Sequence, residues 1–413
     1  MPTPSPLIET LVRTETWRLV ARLTRIVGDV DLAEEIAQDA LVAALETWPG
    51  TGAPENPGAW LMATAKNRAL DALRRKKHAA ARVGDVAWHE EALRGASSFD
   101  DAPDVVRDDE LRLVFVCCHP RLPREQQVAL TLRLVAGLTT DEIARAFLAA
   151  EPTIAQRIVR AKKTIKELAL PYEVPGKEEL AERLPSVLEV IYLVFNEGYA
   201  AARGDALVRQ EMCSEALRLG HTLVPLLPGE PEVLGLVALM EIQASRTSTR
   251  VDAAGEIVLL ADQDRACWDQ TAIQRGLSLL AQATAAEQRG SYVIQAQIAA
   301  CHARAASWQA TDWQAIASLY EELGRSAPSP VVELNRAVAV SLAHGPSAGL
   351  AVLDAIASDP ALARYHLLPS VRADLLRRLG RNEEARAEYA RARELCNNER
   401  ERAFLDKRLR EVS

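Results

Sequence analysis

Residues 138–166 read LTTDEIARAFLAAEPTIAQRIVRAKKTIK, a pattern of two short helices joined by a tight turn. Thr139 and Glu142 stand at the S/T-x-x-E spacing of a capping box, in which each side chain accepts the other's backbone N–H, so the first helix starts there. Ile143, Ala144 and Phe147 give it an apolar stripe. Pro152 suits the first turn of the second helix, and Glu151 puts an anion at its N-terminus. At about 100° per residue, Ile154, Ile158, Ala161 and Ile165 share one side of this second helix. Thr153, Gln156, Arg160 and Lys163 share the other, with Arg157 flanking them. A helix buried on one side and offering Gln, Arg and Lys on the other has the donors to read base edges in a major groove. An ordinary helical hairpin with a solvated basic face has the same pattern.

Outside this stretch, the chain of 413 residues is long enough for two or three domains. Hydrophobic residues make up 48%, aromatics only 5%, and Ala, Leu, Arg and Glu abound, which favours helix and an all-α fold. There is no run of about 18 apolar residues, and the N-terminal MPTPSPLIET lacks a signal pattern, so a soluble, cytoplasmic protein is expected. Six cysteines form no disulfide framework and no C-x-x-C; Cys117-Cys118-His119 is their one cluster and reads as reduced core thiols. The net charge of −8 argues against a generic nucleic-acid coat, but residues 111–170 carry ten basic groups against five acidic ones. Positive charge is concentrated where the helix pair lies.

Residues 7–77 form the first unit. Leu7–Val27 is periodic enough for a helix with Trp17 in the core; Gly28-Asp29-Val30-Asp31 breaks it, and Asp31 can cap a second helix running to Trp48. Ala33, Ala37, Ala40, Leu41, Ala44 and Trp48 line one side of that helix. Glu35, Gln38, Asp39, Val42 and Glu46 line the other, an acidic face with an apolar centre that suits either a basic protein partner or plain solvent. The breaker-rich loop 49–57, PGTGAPENP, leads to a third helix with Met62, Ala65, Ala69, Ala72 and Leu73 inside. Trp60, Thr64, Asn67, Arg68, Asp71, Arg74 and Arg75 lie outside. An aromatic among basic groups can stack on a base and hold phosphates; a basic helix end that merely answers the helix dipole is the alternative. Residues 78–110 are acidic and poor in apolar pattern, which reads as a linker. In residues 111–170 a helix beginning at Leu122-Pro123 stops at Gly137. From about Gly176 the chain is helix after helix, and Leu376, Gly380, Ala385, Tyr389 and Ala392 stand at tetratricopeptide-like spacing, with Gly345 thirty-five residues before Gly380. Stacked helix pairs make concave binding surfaces.

Taken in order, residues 7–170 resemble a bacterial RNA polymerase sigma factor of the extracytoplasmic-function type. DLAEEIAQDALVAALETWP resembles the helix that binds the β′ clamp helices of core polymerase, NPGAWLMATAKNRALDALRRKK the helix that engages the −10 promoter element, and residues 138–166 the helix-turn-helix that reads the −35 element. The tracts LPSVLEVIYLVFNEGYAA (184–201) and IAACHARA (298–305) resemble the large tetratricopeptide-like extension of one subset of these factors. The resemblance implies a region 2-like domain over 7–77, an acidic linker over 78–110, a region 4-like domain over 111–170 and a regulatory helical extension over 176–413. It assigns Glu35, Gln38, Asp39 and Val42 to polymerase, Trp60, Asn67, Arg74 and Arg75 to the −10 region, and Thr153, Gln156, Arg157, Arg160 and Lys163 to the −35 groove. Core RNA polymerase and promoter DNA are the partners it implies, with contact between the extension and the sigma-like domains a further possibility.

Glu256, Asp262, Asp264 and Asp269 fit no metal loop and read as caps or solvated groups. Tyr192, Phe195, Asn196, Glu197 and Tyr199 read as core packing before a stop at Gly198. No catalytic constellation, cofactor motif or metal motif emerges, so a non-enzymatic initiation factor is expected. A stand-alone helix-turn-helix regulator with a helical-repeat sensor is the alternative.

Overall fold

The computed structural model describes residues 6–80, 103–147, 149–170, 172–199, 206–250, 252, 258–285, 289–396 and 399–412. Among these residues every regular element is helical, as the composition predicts, and no helix is long and apolar enough to cross a membrane. The chain divides into two compact units, Met1–Gly198 with Val208–Leu226, and Tyr199–Leu207 with Leu227–Ser413.

The first unit begins with α1 (Pro6–Val27), α2 (Val30–Thr51) and α3 (Pro57–Ala80). Trp17, Leu23, Ile36, Ala40, Trp48, Leu61 and Ala65 are buried among them. Gly28, at φ 65°, turns the chain out of α1. The cap of α2 is Asp29 rather than Asp31: Asp29 is extended, and its carboxylate accepts the N–H groups of Asp31 and Leu32 at 3.0 and 3.3 Å. Val30 is already helical, which leaves Asp31 on the exposed first turn. α2 also continues through Pro49 to Thr51, so the loop expected over 49–57 is confined to residues 52–56.

Next come α4 (Pro103–Cys117), α5 (Arg124–Leu134), α6 (Thr140–Ala146) and α7 (Glu151–Glu167). Of the stretch read as an acidic linker, residues 81–102 lie outside the described residues, and Pro103–Glu110 is helix. Asp109 and Glu110 are buried there against α1. Asp109 binds Arg25 at 2.9 Å and Arg112 at 3.0 Å, and Glu110 binds Arg18 at 3.1 Å. Burial raises the pKa of both carboxyls despite these arginines. The unit closes with α8 (Lys177–Tyr199) and α9 (Ala206–Leu226).

In the second unit, α10 (Pro231–Ala244), α11 (Gln270–Ala283), α12 (Ser291–Arg304) and α13 (Trp313–Ser326) pack in succession. α14 (Pro330–His344) pairs with α15 (Pro346–Ile356), and α16 (Leu367–Arg378) with α17 (Asn382–Leu395). α18 (Glu399–Glu411) follows. The turns within the two hairpins fall at Gly345 (φ 94°) and Gly380 (φ 74°), a left-handed backbone that glycine adopts without strain. Leu334, Leu350, Leu353, Leu376, Ala385, Tyr389 and Ala392 form one core across both hairpins. The tetratricopeptide-like spacing is therefore a packing pattern.

Candidate nucleic-acid interface

The capping box forms. Thr139 N–H donates to Glu142 Oε2 at 2.7 Å, and Glu142 N–H donates to Thr139 Oγ1 at 3.2 Å. This fixes the start of α6, which with α5 supports α7. Ile154, Ile158, Ala161 and Ile165 are buried, while Thr153, Gln156, Arg160 and Lys163 are exposed, so the two faces of α7 separate as the sequence predicts. Arg157 is only partly exposed and pairs with Glu125 at 2.8 Å. Lys163 faces Glu167 at 3.5 Å. Val159, 64% exposed beside these groups, was missed by pattern reading because an apolar residue is normally assigned inward.

On α2, Glu35, Gln38, Asp39 and Val42 are all exposed, and Val42 stays 52% open at the centre of the acidic face. Asp39 pairs with Arg68 of α3, and Gln38 donates to Glu34 at 3.0 Å. On α3, Asn67 and Arg74 are exposed; the Arg75 side chain lies outside the described residues. Trp60 is half-buried, its ring edge-on to buried Trp48 with centroids 5.5 Å apart, so it is less open than an outer-face position implies. Asn56 caps α3 by accepting the Ala59 N–H at 3.0 Å. An open cleft of about 540 Å³ lies beside this cap, with Arg18, Arg22, Asn56 and Met62 on its sides and Thr222, Pro225 and Leu226 of α9 on another wall.

An ion-pair cluster that the sequence does not announce joins these surfaces. The Glu34 carboxylate, on the flank of the acidic face of α2, accepts from Arg133 Nε of α5 at 2.9 Å and from Lys162 of α7. Lys162 also reaches Asp31 at 2.9 Å, and Lys166 reaches Asp29 at 3.3 Å. Burial alone would lower the Lys162 pKa, but hydrogen bonds and charge from Glu34 and Asp31 raise it above the ordinary lysine value. Tyr172, just beyond α7, donates its hydroxyl to the Ala21 carbonyl of α1 at 2.7 Å. From α8 and α9, Glu189 pairs with Arg124, Ser186 donates to Gln127 at 3.2 Å, and Arg218 donates to the Val135 carbonyl at 3.0 Å.

Cys117 and Cys118 pack in the core. Burial raises the Cys117 thiol well above its usual range and pushes Cys118 up to about 12, so both stay protonated at neutral pH. Asp264 and Asp269 cap helices and Asp262 is exposed, whereas Glu256 lies outside the described residues. Tyr192 stacks on buried Phe195. Asn196 and Tyr199 are partly buried, and the side chain of Glu197 lies outside the described residues. α8 runs past Gly198 to Tyr199.

The chain matches three family models: Sigma-70 region 2 over residues 11–79, Sigma-70, region 4 over 112–165, and a family of unknown function (DUF6596) over 183–284. It is 45% identical over 388 residues to the uncharacterized protein R00370 of Rhizobium meliloti, covering 93% of this chain and 90% of that protein. To the ECF RNA polymerase sigma factor SigK of Mycobacterium sp. (strain KMS) it is 31% identical over 150 residues, 34% of this chain and 72% of that protein. To the probable ECF RNA polymerase sigma factor SigI of Mycobacterium tuberculosis it is 30% identical over 157 residues, 37% of this chain and 53% of that protein. No solved structure matches the chain.

Proposed function

We propose a division of labour for this chain, which belongs to the extracytoplasmic-function family of RNA polymerase sigma factors. The exposed face Glu35, Gln38, Asp39 and Val42 docks on the β′ clamp helices of core polymerase in the cytoplasm. An acidic rim around an open valine suits a basic partner with an apolar centre. Trp60, Asn67, Arg74 and Arg75 lie along the −10 element, with the short loop at 52–56 and the neighbouring cleft receiving an unstacked base. Thr153, Gln156, Arg157, Arg160 and Lys163 enter the −35 major groove, and Val159 adds an apolar contact of the kind that recognises a thymine methyl. Initiation then works by binding and strand capture, and the bond-making chemistry belongs to the polymerase.

The observation that carries this reading is α7, whose isoleucine side is buried while its Thr, Gln, Arg and Lys side is open. The proposed division of the chain is 7–77 for polymerase and −10, 78–110 as connector, 111–170 for −35, and 176–413 as the regulatory extension. Regulation by the extension is supported by the Glu189–Arg124 and Arg218–Val135 contacts beside the helix-turn-helix, and by α9 walling the cleft at the start of α3.

Run-off transcription from genomic fragments with core polymerase tests the reading. The full chain should start transcripts at defined promoters. Arg160→Ala should lose about 1–3 kcal/mol of −35 recognition while still binding polymerase. Arg157→Ala should lose less, because Arg157 is already engaged by Glu125. A chain that neither binds polymerase nor starts transcripts, or an Arg160→Ala variant that no longer binds polymerase, would contradict the scheme.

A further inference from the structure

Three donor atoms of different chemistry converge among the closing helices. His366 precedes α16, Cys396 caps the C-terminal end of α17, and Glu401 lies in the first turn of α18. His366 Nε2, Cys396 Sγ and a Glu401 carboxylate oxygen all lie within 4.8 Å of one another. Nε2 is 3.0 Å and Sγ 3.5 Å from Glu401 Oε2. A tetrahedral ion bonded at about 2.0–2.3 Å to N, O and S holds such donors about 3.3–3.5 Å apart. The two separations to Glu401 are close to those of a ligand set, and the third is within 4.8 Å.

The imidazole supplies an independent sign. Nε2 of His366 is shielded from solvent and faces Glu401 Oε2 at 3.0 Å without a well-formed hydrogen bond. A buried polar atom without a hydrogen bond costs free energy, and a cation among the three donors would remove that cost. Cys396 is fully buried, whereas the His366 and Glu401 side chains are 22% and 37% exposed, which leaves the cluster a path to solvent. No such path exists for the buried pair Cys117 and Cys118.

We propose that His366, Cys396 and Glu401 bind a zinc ion, with water in the fourth position, and that the ion staples α18 to the α16–α17 hairpin. Sulfur and imidazole donors select zinc over magnesium or calcium, which take oxygen ligands. The thiol must lose its proton to bind, so affinity rises with pH. Pattern reading finds no metal here because the three residues are 30 and 5 positions apart, on separate elements.

The test uses the full chain stripped of metal and titrated with Co²⁺, then with Zn²⁺. One equivalent of Co²⁺ should bind and produce a thiolate-to-cobalt charge-transfer band in the near ultraviolet, which Zn²⁺ displaces. Zinc should also raise the melting temperature. Cys396→Ser should lose the band. Glu401→Gln, at the half-exposed rim, should still fold without metal and bind Co²⁺ at least about ten-fold more weakly. No band in the wild-type chain, a band that survives Cys396→Ser, or unchanged affinity in Glu401→Gln would each overturn the site and leave a thiol–carboxylate hydrogen bond beside a histidine ion pair.

Discussion

His302 lies in the last turn of α12, its ring edge-on to Trp313 at 5.2 Å. Arg265 donates to its carbonyl at 2.7 Å and to the Thr311 hydroxyl at 3.0 Å. Burial, then the positive charges of Arg246 and Arg265, push the imidazole pKa down to about 4 from 6.5. The unfolded chain therefore binds a proton in a range where the folded chain does not. His302 contributes stability that is fully present above pH 6.5 and is lost as the pH falls through about 4. The size is up to about 3 kcal/mol. Urea midpoints measured across this range should fall with pH in the wild type. In His302→Phe, which keeps an aromatic ring against Trp313, that share of the slope should vanish; an unchanged slope would show that other groups carry it.

At the scale of elements, α6 is the weak part of the reading head. It spans only Thr140–Ala146, too short to persist by itself, and depends on its cap and on packing with α7. Thr139→Ala removes the hydroxyl that accepts the Glu142 N–H and should cost about 1 kcal/mol. Amide exchange over residues 140–146 should then speed up about five-fold, with Ser at position 139 restoring most of the protection. Equal exchange in Ala and Thr forms would mean that packing alone holds the element. This cap was legible in the sequence because its two members are three residues apart and their chemistry is local. The same holds for the isoleucine stripe of α7, the alanine stripe of α2 and the glycine turns at 345 and 380. What could not be read depends on pairs brought together only by folding. Asp109 and Glu110 look like linker acids until Arg25 and Arg18, more than eighty residues earlier, offset part of the cost of their burial. Lys162 lies 128 residues from Glu34, and no periodicity marks either as a partner. Trp60 falls on the outer face by period, yet a neighbouring tryptophan half covers it.

The first unit poses a problem of distance. Elements named −10 and −35 are about 25 base pairs apart, which at 3.4 Å per pair is about 85 Å along B-form DNA. In the structure, α7 touches α2 directly through Lys162, Asp31 and Glu34, and α2 packs on α3. One molecule cannot read both elements in this arrangement, so the proposed function requires the helix-turn-helix to leave α2. Glu34 is placed to govern that step. It borders Glu35 and Gln38 on the face assigned to polymerase, and its side chain is only 12% exposed with Arg133 and Lys162 upon it. Removing its charge leaves partly buried Arg133 without this carboxylate and Lys162 with Asp31, a loss of up to about 3 kcal/mol. Dyes placed at the exposed positions Glu55 and Glu167 should show efficient energy transfer in the isolated chain and lose it when core polymerase and promoter are added. Glu34→Gln should lower the transfer before any partner is present and make it more sensitive to salt. If transfer stays high in the promoter complex, the two elements are not read by one extended chain, and the assignment of α3 to −10 and α7 to −35 within one molecule fails.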